Sequence, residues 1–159
     1  MRVILERARE IAGAVPDPEV PVLSVADLGV LRDVTLDEDG VVEVTITPTY
    51  SGCPAMDTIR QDILAALADA GFDAVRVRIA LAPAWTTDWM TERGRRALEA
   101  YGIAPPGRAG GPVALALSVR CPRCGSPETR ELSRFGSTAC KALWQCRACW
   151  EPFDHFKTL

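Results

Sequence analysis

The segment VLRDVTLDEDGVVEVTITPTYSGCPAMDTIRQDILAALADAG, Val30 to Gly71, decides how the first part of the chain folds. Val30–Leu36 and Val41–Thr47 are rich in β-branched residues, and the turn Asp37-Glu38-Asp39-Gly40 between them reads as a hairpin. Pro48 has no N–H to give to a ladder and closes the second strand. Beyond it, Met56, Ile59, Ile63, Leu64 and Leu67 recur at helical spacing, and Gly71 stands where a C-terminal cap belongs. A helix is therefore expected over 54–70. Pro54 takes its favoured first position, which puts Cys53 at the N-cap.

The flanks extend the pattern. Val3, Ile4, Ala8, Ile11, Ala12 and Val15 form a helical face over 2–15, which Pro16, Pro18 and Pro21 end. Residues 16–29, PDPEVPVLSVADLG, read as an ordered loop, and Val75–Leu81 reads as a third strand. The order helix, hairpin, helix, strand predicts a small α+β domain with its helices packed on one sheet. A further short helix should end near Tyr101, although Gly94 within it disfavours helix. The stretch GIAPPGRAGGP at 102–112 has the composition of a linker. The expected organisation is an α+β domain over 1–101, a linker over 102–112 and a second module over 113–159.

Bulk properties narrow the class. The 159 residues are 48% hydrophobic and 25% charged, a globular balance that excludes disordered, collagen-like and coiled-coil chains. Arginine outnumbers lysine sixteen to two, yet the net charge is -3, so no nucleic-acid partner is expected. No run reaches the roughly 18 apolar residues of a membrane helix. The start, MRVILE, shows no signal-peptide apolar region, and a cytoplasmic location is expected. Charge also divides the chain: residues 1–118 carry eleven basic and seventeen acidic side chains, residues 119–159 seven and four.

Cysteine usage is the most specific signal. Of six cysteines, five fall in the last 39 residues. Without an oxidising compartment, metal binding or thiol chemistry is favoured over disulfides. Cys121-Pro122-Arg123-Cys124-Gly125 and Cys146-Arg147-Ala148-Cys149 are two C-x2-C pairs with 21 residues between them. Each pair turns two thiolates toward one ion, and four such sulfurs suit a tetrahedral Zn²⁺. A segment of about 40 residues buries too little apolar surface to fold unaided. A structural zinc supplies about 10–16 kcal/mol in such peptides. The reading is a zinc ribbon bound through Cys121, Cys124, Cys146 and Cys149, with strands at Val113–Val119 and Lys141–Trp144. A rubredoxin-like iron site is the rival, since four thiolates serve both metals, though Trp150 stands where its second knuckle wants glycine. Two disulfides or free thiols would also satisfy the count. Cys140 reads as a small buried hydrophobe or as a spare thiol near the metal. His155, the one histidine, excludes any two-histidine site and reads as a surface or strand residue.

Cys53 is the one thiol outside the tail. Free N–H groups and the dipole at a helix start favour its thiolate, while Asp57 one turn on opposes it. A reactive and a buried structural cysteine both fit. Asp17, Glu19 and Asp27 lie in the proline-rich loop, where acidic residues usually serve as caps or turn formers.

DPEVPVLSVADLGVLRDV at 17–34 and VEVTITPTYSGCP at 42–54 resemble the small family associated with cytosolic iron–sulfur protein assembly, which includes SufT-like proteins. That likeness covers residues 1–82. APAWTTDWM at 82–90, YGIAPP at 101–106 and FGSTACKALWQCRACWEPFDHFK at 135–157 are similar to the PaaD/PaaJ accessory proteins of bacterial phenylacetate degradation. This second likeness spans nearly the whole chain. It implies service to a phenylacetyl-CoA monooxygenase (epoxidase), whose catalytic subunits hold di-iron and whose reductase holds flavin and an iron–sulfur cluster.

The sequence has no E-x-x-H pair for di-iron, no glycine-rich dinucleotide fingerprint and no ferredoxin cysteine spacing. The resemblance is therefore taken to imply a maturation factor rather than an enzyme. It would assist assembly of an iron or iron–sulfur centre and partner the oxygenase and reductase subunits. Cys53 matches the family's GCP cysteine and is the candidate for transient iron or cluster contact, with Asp17, Glu19 and Asp27 matching the acidic loop. The alternatives are a structural or electron-transfer subunit of the oxygenase, or a zinc-ribbon nucleic-acid-binding protein. A homodimer is compatible with each.

Overall fold

The computed structural model describes residues 1–108 and 119–159. The chain forms two compact units, one of residues 1–85 with 89–91 and one of residues 86–88 with 92–159.

The first unit runs α1 (Arg2–Gly13), β1 (Leu31–Leu36), β2 (Val42–Ile46), α2 (Ala55–Asp69) and β3 (Val75–Ile79). β1 and β2 are antiparallel, with Val34 opposite Val44 and Leu36 opposite Val42. Their turn is closed by Asp37, whose Oδ1 accepts from the N–H of Val41 at 2.8 Å, and Gly40 takes the left-handed conformation. β3 joins the other edge of β2 in parallel, so α2 is the crossover between them. Val42, Val44 and Ile46 alternate onto one face and are buried, as are Ile59, Ile63 and Leu67 of α2 and Ala8 and Ala12 of α1. Burying this one-sided apolar surface holds the helices on the sheet.

Residues 14–30 form an ordered loop with a core of its own. Val20, Leu23, Val25 and Leu28 are buried, and a bridge joins Pro16 to Ser24. Gly29 is required there: its φ is 73°, and a Cβ would meet the Trp89 carbonyl oxygen at 2.5 Å. Trp85 Nε1 donates to the Leu28 carbonyl at 2.9 Å, and the Arg32 guanidinium lies 3.5 Å over the Trp89 ring.

The second unit contains α3 (Glu92–Ala100), β4 (Ile103–Ala104), β5 (Thr129–Ser133), β6 (Lys141–Cys146) and β7 (Pro152–Phe156). The sheet order is β4-β7-β6-β5, with β4 parallel to β7 and the other pairs antiparallel. Among the described residues, no helix is long and apolar enough to cross a membrane.

The fold is α+β with a C-terminal ribbon, as the sequence pattern indicates, and three placements differ from the expectation. Pro54, not Cys53, is the N-cap of α2, and Cys53 precedes it. Ile103 and Ala104 belong to the expected linker yet are buried and form β4, because pairing with β7 satisfies their backbone. The chain divides near residues 85–92, so α3 falls in the second unit rather than in a domain ending at 101. The expected strand over 113–119 lies outside the described residues except for Val119.

Candidate functional site

The two C-x2-C turns meet in the second unit. The Sγ atoms of Cys121, Cys124, Cys146 and Cys149 lie within 4.8 Å of one another, the only such group of three or more ligand atoms among the described residues. Across the knuckles, Cys121 Sγ is 3.8 Å from Cys149 Sγ and Cys124 Sγ is 3.5 Å from Cys146 Sγ. A tetrahedral Zn²⁺ with Zn–S bonds of about 2.3 Å places its sulfurs about 3.8 Å apart, so the four thiols fit the ion with little movement. Their protonation points the same way. The Cys149 N–H foremost draws the Cys146 thiol down to about 7. Although the Ser126 N–H lowers it, Cys124 is pushed up to about 12 by the sulfur of Cys146, by loss of solvent, and by the sulfurs of Cys149 and Cys121. Four thiolates cannot crowd together uncompensated, and a divalent ion is what relieves them.

Local sequence builds each turn. The Gly125 N–H donates to the Cys121 carbonyl at 2.9 Å, and Gly125 has φ 73°. In the second knuckle Trp150 takes the corresponding place with φ 64°. The missing glycine therefore does not mark a different turn. Beneath the sulfurs, Cys121 and Cys146 are buried with Ala104 and Phe153, and Trp144 packs on this cluster. Cys140 is buried outside the four, its Sγ 3.0 Å from Thr138 Oγ1. His155 lies on β7, edge-on to Trp144 with ring centroids 5.9 Å apart, and burial lowers its pKa to about 4.

Cys53 lies in the first unit, half-buried, and closes the turn Tyr50–Cys53, whose Gly52 has φ 78°. Its thiol is held above the ordinary range, first by burial and also by the charge of Glu19. The Ala55 N–H and the side chains of Tyr50 and Thr49 act against this without prevailing. The helix start does favour the thiolate, as expected, through the Ala55 N–H, but burial and then Glu19 outweigh it. The opposing carboxylate is Glu19 rather than Asp57, a neighbour that spacing along one helix could not reveal.

Asp17 and Asp27 are buried and engaged in the loop itself. Asp17 Oδ1 accepts from the N–H groups of Glu19 and Val20 at 2.8 and 2.7 Å. Asp27 and Ser24 form a reciprocal box: Asp27 Oδ2 accepts from Ser24 Oγ at 2.9 Å, and the Asp27 N–H donates to Ser24 Oγ at 3.1 Å. Thr91 Oγ1 donates to Asp27 Oδ1 at 3.0 Å. These carboxylates do not converge with Cys53 into a ligand group of three or more. Thr91 and the two tryptophans that brace this loop, Trp85 and Trp89, carry no sequence signal for that role, since no local pattern links them to residue 27 or 28.

Two family profiles match the two parts of the chain: an iron–sulfur cluster assembly protein over residues 7–82 and a PaaD zinc beta ribbon domain over residues 108–157. Fold and cysteine centre thus define an assembly-type α+β domain joined to a zinc β-ribbon. A protein of Escherichia coli (strain K12), provisionally named as a subunit of 1,2-phenylacetyl-CoA epoxidase, is 51% identical over 145 residues, 91% of this chain and 87% of that protein. The chain belongs to the PaaD family. Its first part is also 39% identical over 85 residues to the Fe-S protein maturation auxiliary factor YitW of Bacillus subtilis (strain 168), 53% of this chain and 82% of that one. The crystal structure of a domain of unknown function from Bacillus anthracis matches with a TM-score of 0.57 at 27% identity, over 61% of this chain and 92% of that chain.

Proposed function

We propose that this chain is a cytoplasmic accessory factor that matures a phenylacetyl-CoA oxygenase (epoxidase), assisting assembly of its iron or iron–sulfur centre in phenylacetate degradation. One observation carries the reading. A module shared with Fe-S maturation auxiliary factors is joined to a PaaD ribbon in one chain, and a relative along nine-tenths of it is named as an epoxidase subunit. Its partners are then the oxygenase and reductase subunits.

The zinc is structural in this reading, because four cysteines fill a tetrahedral shell and leave no open position for substrate. Cys53 makes the transient contact with iron or cluster. A thiol held protonated resists oxidation while idle, and an arriving metal ion displaces its proton. Glu19 acts on that thiol electrostatically, while Asp17 and Asp27 shape the loop. The second reading is a lasting subunit of the oxygenase, favoured by the word "subunit" in the name of the Escherichia coli relative.

Replacing Cys53 with alanine tests both. The variant should keep its fold and its zinc, and oxygenase matured in cells alongside it should contain less iron or fewer clusters. Wild-type chain added to mature oxygenase should change turnover little. Normal metal occupancy with Cys53→Ala rejects the maturation role of Cys53. Turnover that stops whenever the chain is stripped from mature enzyme establishes the subunit reading instead.

A further inference from the structure

The two knuckles of the ribbon solve one backbone problem with different residues. After the second cysteine of each pair the chain passes through the left-handed region, at Gly125 with φ 73° and at Trp150 with φ 64°. Glycine adopts that region freely, whereas a bulky side chain there is strained. Trp150 is the only non-glycine residue with positive φ among the described residues.

Burial does not offset the strain, since Trp150 is 65% exposed. Its indole borders an open groove of about 410 Å³ with Pro127, Glu128, Thr129 and Arg147. Arg123 is ion-paired with Glu151, and Arg130 donates to Gln145 Oε1 at 2.8 Å. Arg147, exposed beside the indole, makes no ion pair among the described residues. A strained, exposed tryptophan next to an uncommitted arginine is the side-chain chemistry that anchors protein interfaces.

We propose that Trp150 and Arg147 anchor a protein-docking surface on the ribbon, the indole entering an apolar recess of the partner and Arg147 meeting a carboxylate at its rim. Naming that partner as a phenylacetyl-CoA oxygenase subunit rests on the function proposed above. Stacking on a single-stranded nucleic acid is the other use of an exposed indole. Charge disfavours it: four thiolates on a divalent ion add two negative charges, leaving residues 119–159 with about one net positive charge.

The test uses the full zinc-loaded chain and, as probe, oxygenase purified from cells that lack this chain. Trp150→Gly should retain its zinc and melt no lower than wild type, because glycine relieves the strain. Its affinity for the oxygenase should nevertheless fall at least about tenfold, and Arg147→Ala should weaken binding while reducing its salt dependence. If wild type binds and Trp150→Gly binds equally well, this inference fails alone. A lowered melting temperature in Trp150→Gly would assign the indole to packing and overturn the docking role, with Arg147→Ala still reporting on the surface. A fluorescent single-stranded oligonucleotide that binds wild type and not Trp150→Gly would overturn the protein partner. Oxygenase that fails to bind even wild type overturns this inference together with the proposed function.

Discussion

Cys124 Sγ and Cys146 Sγ lie 3.5 Å apart although 22 positions separate them in sequence. That distance requires both knuckles to be formed at once, since neither C-x2-C turn alone can supply four ligands. We expect about one zinc per chain. Cys121→Ser should lose it and unfold the ribbon, because Cys121 is both a ligand and part of the buried cluster with Ala104 and Phe153. The helical signal of α1 and α2 should persist, as their core lies within the first unit. Metal analysis and thermal melting followed by circular dichroism check this. Retention of metal and ribbon structure in the variant would refute the four-cysteine assignment.

The parts legible in the sequence are those written in local patterns. The hairpin around Asp37–Gly40, the apolar face of α2 and the two C-x2-C turns each declare themselves within one short window. What escapes such windows depends on residues brought together from a distance. Ile103 and Ala104 sit in a stretch with the composition of a linker, and only the presence of β7 makes them a strand. Burial of Cys53, and after it the charge of Glu19 from the proline-rich loop, set the direction of the thiol's shift, and neither is readable from the helix start. Trp150 breaks the glycine rule without changing the turn, because backbone preference is a bias that the rest of the knuckle can override.

Asp27 separates the structural from the functional reading of the acidic loop. Its carboxylate accepts from Ser24 and from Thr91, and the Thr91 N–H donates to the Asp27 carbonyl at 2.9 Å. Asp27→Ala leaves the buried Ser24 N–H and hydroxyl without their acceptor and should destabilise the first unit by about 1–3 kcal/mol. Denaturant unfolding measures this. If Asp27→Ala is as stable as wild type while oxygenase maturation in cells drops, the carboxylate serves a partner or cargo rather than the loop.

His155 predicts the pH response of the ribbon. The ring lies on β7, opposite Ala142 of β6 and Ala104 of β4, and is half-buried against Trp144. Burial lowers its pKa to about 4 in the folded chain. Unfolded, a histidine titrates near 6.5. Above that pH the ring is neutral in both states and contributes no pH dependence. Between about 6.5 and about 4 the unfolded chain binds the extra proton, so stability falls as the pH falls through this window. Below about 4 both states are protonated and the loss levels off. Partial exposure screens the effect, which should be on the order of 2 kcal/mol. Acid also releases metal from thiolates, but that release is common to wild type and to His155→Phe, which keeps a ring against Trp144. Melting temperatures of the two proteins should agree in their pH dependence above about 6.5 and diverge below it, with wild type losing more. If the two curves stay parallel down to about pH 4, the histidine does not carry the response and metal release alone accounts for it.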